Sequence, residues 1–114
     1  MLAKKNRLTG KTNFERVEKE GVIYQSANFG LAKYERKDND PSRFAFIIST
    51  KIAKNATDRN NLKRHLREAV RQSITEIVNG YDVVFLAKTS ITRAPASEVM
   101  KEVRVALRDG GMFK

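Results

Sequence analysis

Apolar side chains recur at the three- and four-residue spacing of an α-helix in three parts of the chain. We therefore predict a short helix over residues 12–20, a long helix that begins at Thr57 or Asp58 and runs to about 78, and a last helix over 96–107. The long helix has the widest apolar stripe, which consists of Leu62, Leu66, Ala69, Val70, Ile74 and Ile77. A stripe of that width is typical of a helix that packs against a core.

The segments between these helices are rich in β-branched and aromatic residues, which favour strands. Residues 22–34 alternate loosely between apolar and polar positions and predict one strand or a pair of strands. The runs 43–50 and 81–88 predict a central and a buried strand, and the polar segment 35–42 predicts a turn. The predicted order is α, β, β, α, β, α, with an early strand open to division in two.

The composition predicts one soluble domain that spans residues 1–114. The chain contains no cysteine, which excludes disulfides and thiolate metal sites. No apolar run is long enough to cross a bilayer, and no apolar segment follows the basic start MLAKKNRL. We therefore expect no membrane span, no signal peptide and a cytoplasmic protein.

The positive charge is concentrated in two short stretches. The net charge is +10, residues 1–11 carry four cations and no acid, and residues 51–71 carry seven cations against two acids. A surface that binds a polyanion explains such clustering, because each neutralised phosphate releases condensed counterions. We expect residues 1–11 to be a partly flexible basic segment and residues 109–114 to be a C-terminal tail.

The long helix keeps its charges beside its apolar stripe. At about 100° per residue, Lys63, Arg64, Arg67 and Arg71 fall within an arc of roughly 100°, and Glu68 falls on the far side. Like charges at this spacing cost a few tenths of a kcal/mol per pair, and a phosphate backbone on the same flank would offset that cost. A solvated helix face is the alternative interpretation.

The start of the long helix favours the nucleic-acid interpretation. Arg59 lies in the first turn, where the helix dipole attracts an anion. Lys51 and Lys54 lie in the loop just before it. Two basic patches and a basic helix start together favour nucleic acid over a merely solvated surface.

Two other classes of function stay open from the residues alone. A self-sufficient enzyme needs paired catalytic groups, but His65 is the single histidine and Asp38 and Asp40 lie in a turn beside Lys37. We predict a helix-surface histidine and a solvated turn. A general RNA-binding protein of the ribosomal type, with no role in tRNA processing, would share the same charge pattern.

The long helix and its loop carry a family resemblance. The segment KIAKNATDRNNLKRHLREAVR resembles the signature of the bacterial ribonuclease P protein subunit, in which a small loop leads into a helix that opens with Arg-Asn. The segments KKNRLTGKTNFERVEKEG and YDVVFLAK are similar to the family's first helix and last strand. The resemblance extends over nearly the whole chain.

The resemblance implies a fold and a role. The implied fold is an α/β two-layer sandwich in αβββαβα-like order, as in the second domain of a small-subunit ribosomal protein, with a left-handed βαβ crossover that breaks a strong handedness rule. The implied role is that of a protein subunit that binds a catalytic RNA and the 5′ leader of precursor tRNA. Mg²⁺ held mainly by the RNA activates the water, so no catalytic residue and no protein-bound metal are expected. The protein alone is expected to be a monomer.

The resemblance also assigns residues to the two RNAs. Six residues match the family's RNA-binding positions, and Lys54 of the basic loop and Arg71 of the same arc are added to them. The RNA-binding set is therefore Lys51, Lys54, Arg59, Asn60, Lys63, Arg64, Arg67 and Arg71. Phe14 matches an aromatic of the leader cleft, and packing of the first helix is an equal alternative for it. Tyr34 substitutes for a sheet-face aromatic, and Lys4, Lys5 and Arg7 would steer the RNA.

Four positions depart from the family pattern. Thr50 and Asn61 each stand where the family has a cation, Glu18 replaces a second cleft aromatic, and Ala32 replaces the sheet-face aromatic. The resemblance therefore supports binding of the catalytic RNA more strongly than it supports an intact leader cleft.

Overall fold

The computed structural model describes residues 2–114, so residue 1 of the predicted basic segment lies outside it. The helices in this part of the chain are α1 (Lys11–Glu20), α2 (Ala56–Gln72) and α3 (Ala96–Asp109). The strands are β1 (Val22–Gln25), β2 (Phe29–Glu35), β3 (Arg43–Ile47) and β4 (Tyr81–Ala87). Short 3₁₀ turns lie at Lys4–Asn6, Ile74–Glu76 and Thr89–Arg93. The predicted order is confirmed, and the loosely alternating segment is divided into β1 and β2.

The strands form one sheet in the order β1-β2-β4-β3, so the last strand in sequence lies between the second and the third. β1, β2 and β4 are antiparallel neighbours, whereas β3 runs parallel to β4. Parallel neighbours need a crossover connection, and α2 supplies it. This is the two-layer α/β sandwich that the resemblance implied, and the left-handed sense of the crossover stays a prediction.

One face of the sheet packs against α2 and α3. Leu66 and Val70 of α2, and Val103 and Leu107 of α3, are fully enclosed in one cluster with Phe85 of β4. Full burial of a side chain of this size contributes about 1.5–3 kcal/mol. This packing fixes the rotation of α2 and leaves its cationic flank outside the core.

The opposite face of the sheet is only partly covered. There α1 and the segment before it pack on a smaller cluster, which consists of Leu8, Val17, Ala32, Ala45 and Val84. Ile47 and Leu86 are paired in register farther along the sheet, and each keeps 40% of its surface exposed. An open apolar strip therefore continues beyond α1 on this face.

The basic N-terminal segment is anchored along the outer edge of β3. Leu8 is buried, and its N–H donates a hydrogen bond to the carbonyl oxygen of Phe44 at 2.9 Å. The side-chain amide of Asn6 donates to the carbonyl oxygen of Ser42, also at 2.9 Å, in a buried position. These hydrogen bonds place the cations of this segment at the sheet edge, and its partial flexibility stays a prediction.

The residue that caps the start of α2 is not one of the two that were predicted. The N-cap is Asn55, whose side-chain oxygen accepts a hydrogen bond from the Thr57 N–H at 2.7 Å, so neither Thr57 nor Asp58 has that role. Asn is as good a cap as Asp or Ser, and local sequence does not choose among neighbouring candidates.

The end of α2 is set by the C-terminal tail. The pattern predicted a helix to about 78, but α2 stops at Gln72 and a 3₁₀ turn follows. Ile77 then pairs with Phe113 in an isolated β-bridge, and the Val78 N–H donates to the carbonyl oxygen of Met112 at 2.8 Å. Ile77 is buried in the core through this pairing. Because it is buried and lies at helical spacing from the α2 stripe, the sequence pattern predicted one more helical turn.

Candidate nucleic-acid interface

The cationic flank of α2 is accessible. Arg64 is exposed, Lys63 and Arg67 are half-buried, and the adjoining Leu66 is fully enclosed in the core. In the described part of the chain, none of the three cations pairs with a carboxylate. We refer to Lys63, Arg64 and Arg67 as the α2 strip, a row of uncompensated positive charges beside the packed side of the helix.

Arg71 extends this arc but is already engaged. Its Nε donates to the Glu68 carboxylate at 2.9 Å, in an i,i+3 ion pair. This hydrogen bond holds the pKa of Glu68 below its ordinary value and raises the pKa of Arg71. The prediction that Glu68 lies on the far side from the cations is wrong for Arg71, because side chains three residues apart are neighbours on a helix surface.

Arg59 also has a structural role, because its side chain binds the loop that precedes α2. The residue is half-buried, and its Nη1 donates to the carbonyl oxygens of Ala53 and Lys54, both at 2.8 Å. These bonds close the loop back onto the first turn of α2. Lys51, Lys54 and Asn60 are exposed around the closed loop.

A groove of about 460 Å³ joins the α2 strip to the first helix. Lys63 and Arg67 line it from α2, and Arg7 and Phe14 line it from the N-terminal segment and α1. The remaining lining residues are Leu2, Leu8, Thr9, Phe44, Ala45 and Phe46. We call this the basic groove. Its two sides were predicted as parts of different sites, and Thr9 and Phe46 were not predicted, because their place in the groove depends on how the segment before α1 docks on β3.

The two aromatic candidates lie on the partly covered face of the sheet. Phe14 and Tyr34 are half-buried and both pack against the smaller cluster. The Arg16 guanidinium lies 5.7 Å from the centre of the Tyr34 ring, which places a cation over that ring. Ala32 lies in the same cluster with 5% of its surface exposed, so it provides a flat floor and no ring for stacking.

The three basic residues assigned to RNA steering are not in one place. Arg7 lines the basic groove, and its Nε donates to the carbonyl oxygen of Leu2 at 3.1 Å. Lys5 lines a separate, shallow pocket near Asp38 and Arg43, and Lys4 is exposed. Only Arg7 of this set contributes to the groove.

A buried carboxylate that the sequence analysis missed organises the neighbouring turn. Asp82 has no exposed surface and accepts hydrogen bonds from Arg36 and Arg43, the latter at 2.8 Å. Burial lowers the pKa of Arg36, but its hydrogen bonds to Asp38 and Asp82 outweigh that effect and raise it. The Arg36 hydrogen bond also holds the pKa of Asp38 below its ordinary value. A lone Asp in an apolar strand was the available signal, because such a group needs a partner when buried.

The catalytic alternatives find no assembled site in the described residues. His65 is half-buried on α2, and Asp38 is paired with Arg36 at 3.0 Å. Within residues 2–114 no group of three or more His, Asp or Glu side chains is placed to hold a metal ion. No helix in that range is both long and apolar enough to span a membrane.

A two-layer α/β sandwich that exposes a row of arginine and lysine beside a basic groove has the electrostatic surface of a nucleic-acid-binding domain. The family model described as Ribonuclease P matches residues 2–110, and the chain belongs to that family.

Known relatives agree with this assignment over almost the full chain. The ribonuclease P protein component of Gluconacetobacter diazotrophicus is 31% identical, with 98% of this chain and 97% of the relative covered. That of an Arthrobacter species is 33% identical, with 94% of this chain and 78% of the relative covered. The solved structure of the Staphylococcus aureus ribonuclease P protein superposes with a TM-score of 0.89 over 97% of this chain and 100% of that protein. At 22% identity this last likeness shows the fold.

Proposed function

We propose that this chain is the non-catalytic protein subunit of ribonuclease P and promotes removal of the 5′ leader from precursor tRNA. The RNA subunit carries the catalysis, and Mg²⁺ held mainly by that RNA activates the attacking water. The protein acts in the cytoplasm and is a monomer without its RNA partners. It binds both the catalytic RNA and the leader of the substrate.

The continuity of the basic groove carries this proposal. Lys63 and Arg67 of the α2 strip and Phe14 of α1 line one depression, although they were assigned to separate RNAs from the sequence. A protein that holds two RNAs in fixed relation needs its two contact surfaces to adjoin. The groove supports that arrangement, because an RNA on the strip lies next to a strand that runs past Phe14.

The catalytic RNA contacts the outer surface of α2 and its loop. Its phosphates and 2′-hydroxyls meet an RNA-binding set that consists of Lys51, Lys54, Arg59, Asn60, Lys63, Arg64 and Arg67, with Arg71 at the edge. Arg71 contributes less than the others, because Glu68 already neutralises part of its charge. Lys51 and Lys54 approach the RNA from a loop whose shape Arg59 maintains.

The leader follows the partly covered face of the sheet. Phe14 and Tyr34 each offer a ring for stacking on this face, and the Arg16 guanidinium lies over the ring of Tyr34. Toward the end of β4 opposite to Tyr34 the same face is aliphatic, with Ile47 and Leu86 exposed. Such a surface accepts bases without selecting among them, so we expect weak sequence preference in the leader.

Reconstitution tests the proposal. The protein is added to a bacterial ribonuclease P RNA at a Mg²⁺ concentration too low for the RNA to act alone, and release of the 5′ leader from precursor tRNA is measured. The proposal predicts cleavage at the mature 5′ end that requires both components. Cleavage by protein alone, or no stimulation of the RNA at any protein concentration, would contradict it.

A further inference from the structure

A second groove, of about 490 Å³, lies at the start of α2 and is distinct from the basic groove. It is enclosed by the loop before α2, the first two turns of that helix and the 3₁₀ turn before α3. Its lining consists of Ile52, Ala53, Lys54, Asp58, Asn61, Leu62 and Thr92. We call it the loop groove. Apart from Lys54, none of these residues belongs to the RNA-binding set.

The floor of the loop groove is apolar and its rim is polar. Ala53 is buried, and Ile52 and Leu62 are half-buried against the main core. The Asp58 carboxylate and the Asn61 amide are exposed on the rim, and within residues 2–114 neither side chain has a hydrogen-bond partner. An apolar floor, with polar side chains along one side that have no partner within the protein, offers the two kinds of contact that a ring-shaped polar ligand uses.

The third polar group of the rim comes from another element. Thr92 lines the groove, and its hydroxyl donates to the carbonyl oxygen of Thr89 at 3.0 Å, so that the hydroxyl oxygen keeps its capacity to accept. Besides the Lys54 ammonium, the rim thus contains a carboxylate and a hydroxyl oxygen that accept, and an amide that both accepts and donates. The Asp58 carboxylate disfavours a phosphate on its side of the rim, where a group that donates hydrogen bonds fits better.

A nucleobase fits both features. We propose that the loop groove binds one unstacked base of the catalytic RNA, with its Watson–Crick edge toward Asp58 and Asn61. Guanine matches best, since its N1–H and its N2 amino group are adjacent donors that meet the two oxygens of one carboxylate. Sequence-specific RNA recognition uses such splayed-out bases. This inference rests on the proposed function and adds base recognition to what is otherwise phosphate contact.

The surroundings of the groove support an RNA ligand. Lys54 lies on its rim, and Lys51 is exposed in the same loop, so cations are available for the phosphates that flank the base. Arg59 fixes the carbonyl groups of Ala53 and Lys54 at 2.8 Å, which holds the groove wall in place before RNA arrives. A preformed wall lowers the ordering cost of binding.

The charge of Asp58 makes a sharp test possible. Replacing Asp58→Asn removes a negative charge, so general electrostatics predicts equal or tighter binding to RNA. Base recognition predicts the opposite, a loss of about tenfold in affinity for a bacterial ribonuclease P RNA, as expected for one specific base contact. The matched control is Glu98→Gln, which removes an exposed acid from the first turn of α3 and should leave the affinity unchanged.

Inosine substitution identifies the base. The same RNA is transcribed with inosine in place of a small fraction of its guanosines, which deletes the N2 amino group, and bound and unbound molecules are compared. With the unmodified protein, inosine at one position should be excluded from the bound fraction, and that exclusion should vanish with Asp58→Asn.

Two results overturn the inference: tighter or equal binding by Asp58→Asn, or an inosine pattern that this substitution does not change. Neither result affects the proposed function, which fails separately if the protein does not stimulate a bacterial ribonuclease P RNA in the reconstitution described above.

Discussion

The guanidinium of Arg59 donates a hydrogen bond to the carbonyl oxygen of Lys54 at 2.8 Å, across the loop that leads into α2. The same nitrogen bonds the carbonyl oxygen of Ala53 at 2.8 Å. One side chain thus shapes the loop that carries two lysines and adds its own charge to the surface. Arg64, one turn farther along α2, is exposed and makes no such bond in the described part of the chain.

Arg59→Lys separates the shape of the loop from its charge. An ammonium keeps the charge but lacks the planar fork of a guanidinium, so the loop loses its closure. We expect affinity for the catalytic RNA to fall about five- to tenfold, with an unchanged slope of log affinity against log salt. Arg64→Lys is the control and should change little. Equal, small effects of both substitutions would show that the loop bonds do not matter for binding.

Phe14→Ala tests the leader path. Stacking of a base on an aromatic ring is worth about 1–3 kcal/mol, so the affinity of the holoenzyme for precursor tRNA should fall at least fivefold. Mature tRNA has no leader, and its affinity should stay the same. Because Phe14 also packs on the smaller cluster, the thermal midpoint of the variant is measured alongside. A loss that is equal for both tRNAs would make Phe14 a packing residue only.

The ion pair between Arg104 and Glu76 predicts how the stability of the fold changes in acid. The Arg104 hydrogen bond, at 2.9 Å, lowers the pKa of Glu76 below its ordinary 4.5. A carboxyl whose pKa is lower in the folded state stabilises the fold above its unfolded pKa, and this contribution is lost as the pH falls through the lowered value. Urea unfolding midpoints should therefore fall below about pH 4.5. Glu76→Gln should show a lower midpoint at pH 7 and a smaller fall in acid. A fall of the same size in both proteins would contradict the assignment to Glu76.

The order of elements was predictable because each element carries its own local signal. Leu66 and Val70 repeat at helical spacing, and both are fully buried where the pattern placed them. The same reasoning failed at Ile77, because its burial comes from pairing with Phe113, a contact between distant parts of the chain. Local periodicity records that a residue is buried and does not record which element buries it.

The candidate site was predictable in its parts but not in its assembly. The α2 strip follows from helix geometry alone, since residues 63, 64 and 67 share a flank whatever the tertiary fold. The basic groove and the loop groove do not follow from helix geometry, because each lies between α2 and segments that only tertiary packing brings close to that helix. Thr92 lines the same groove as Asp58 and Asn61 in this way, although its turn lies some thirty residues farther along the chain.

The α2 strip is tested most directly by the salt dependence of binding to the catalytic RNA. The variant Lys63→Ala/Arg67→Ala is compared with the unmodified protein and with Lys19→Ala/Lys101→Ala, which removes the same charge from exposed positions on α1 and α3. If each strip cation contacts a phosphate, the slope of log affinity against log salt should drop by about two. Affinity at physiological salt should also fall more than tenfold, with both effects absent in the control. An unchanged affinity and slope for Lys63→Ala/Arg67→Ala, in a protein that still folds, would contradict the assignment of this flank to RNA.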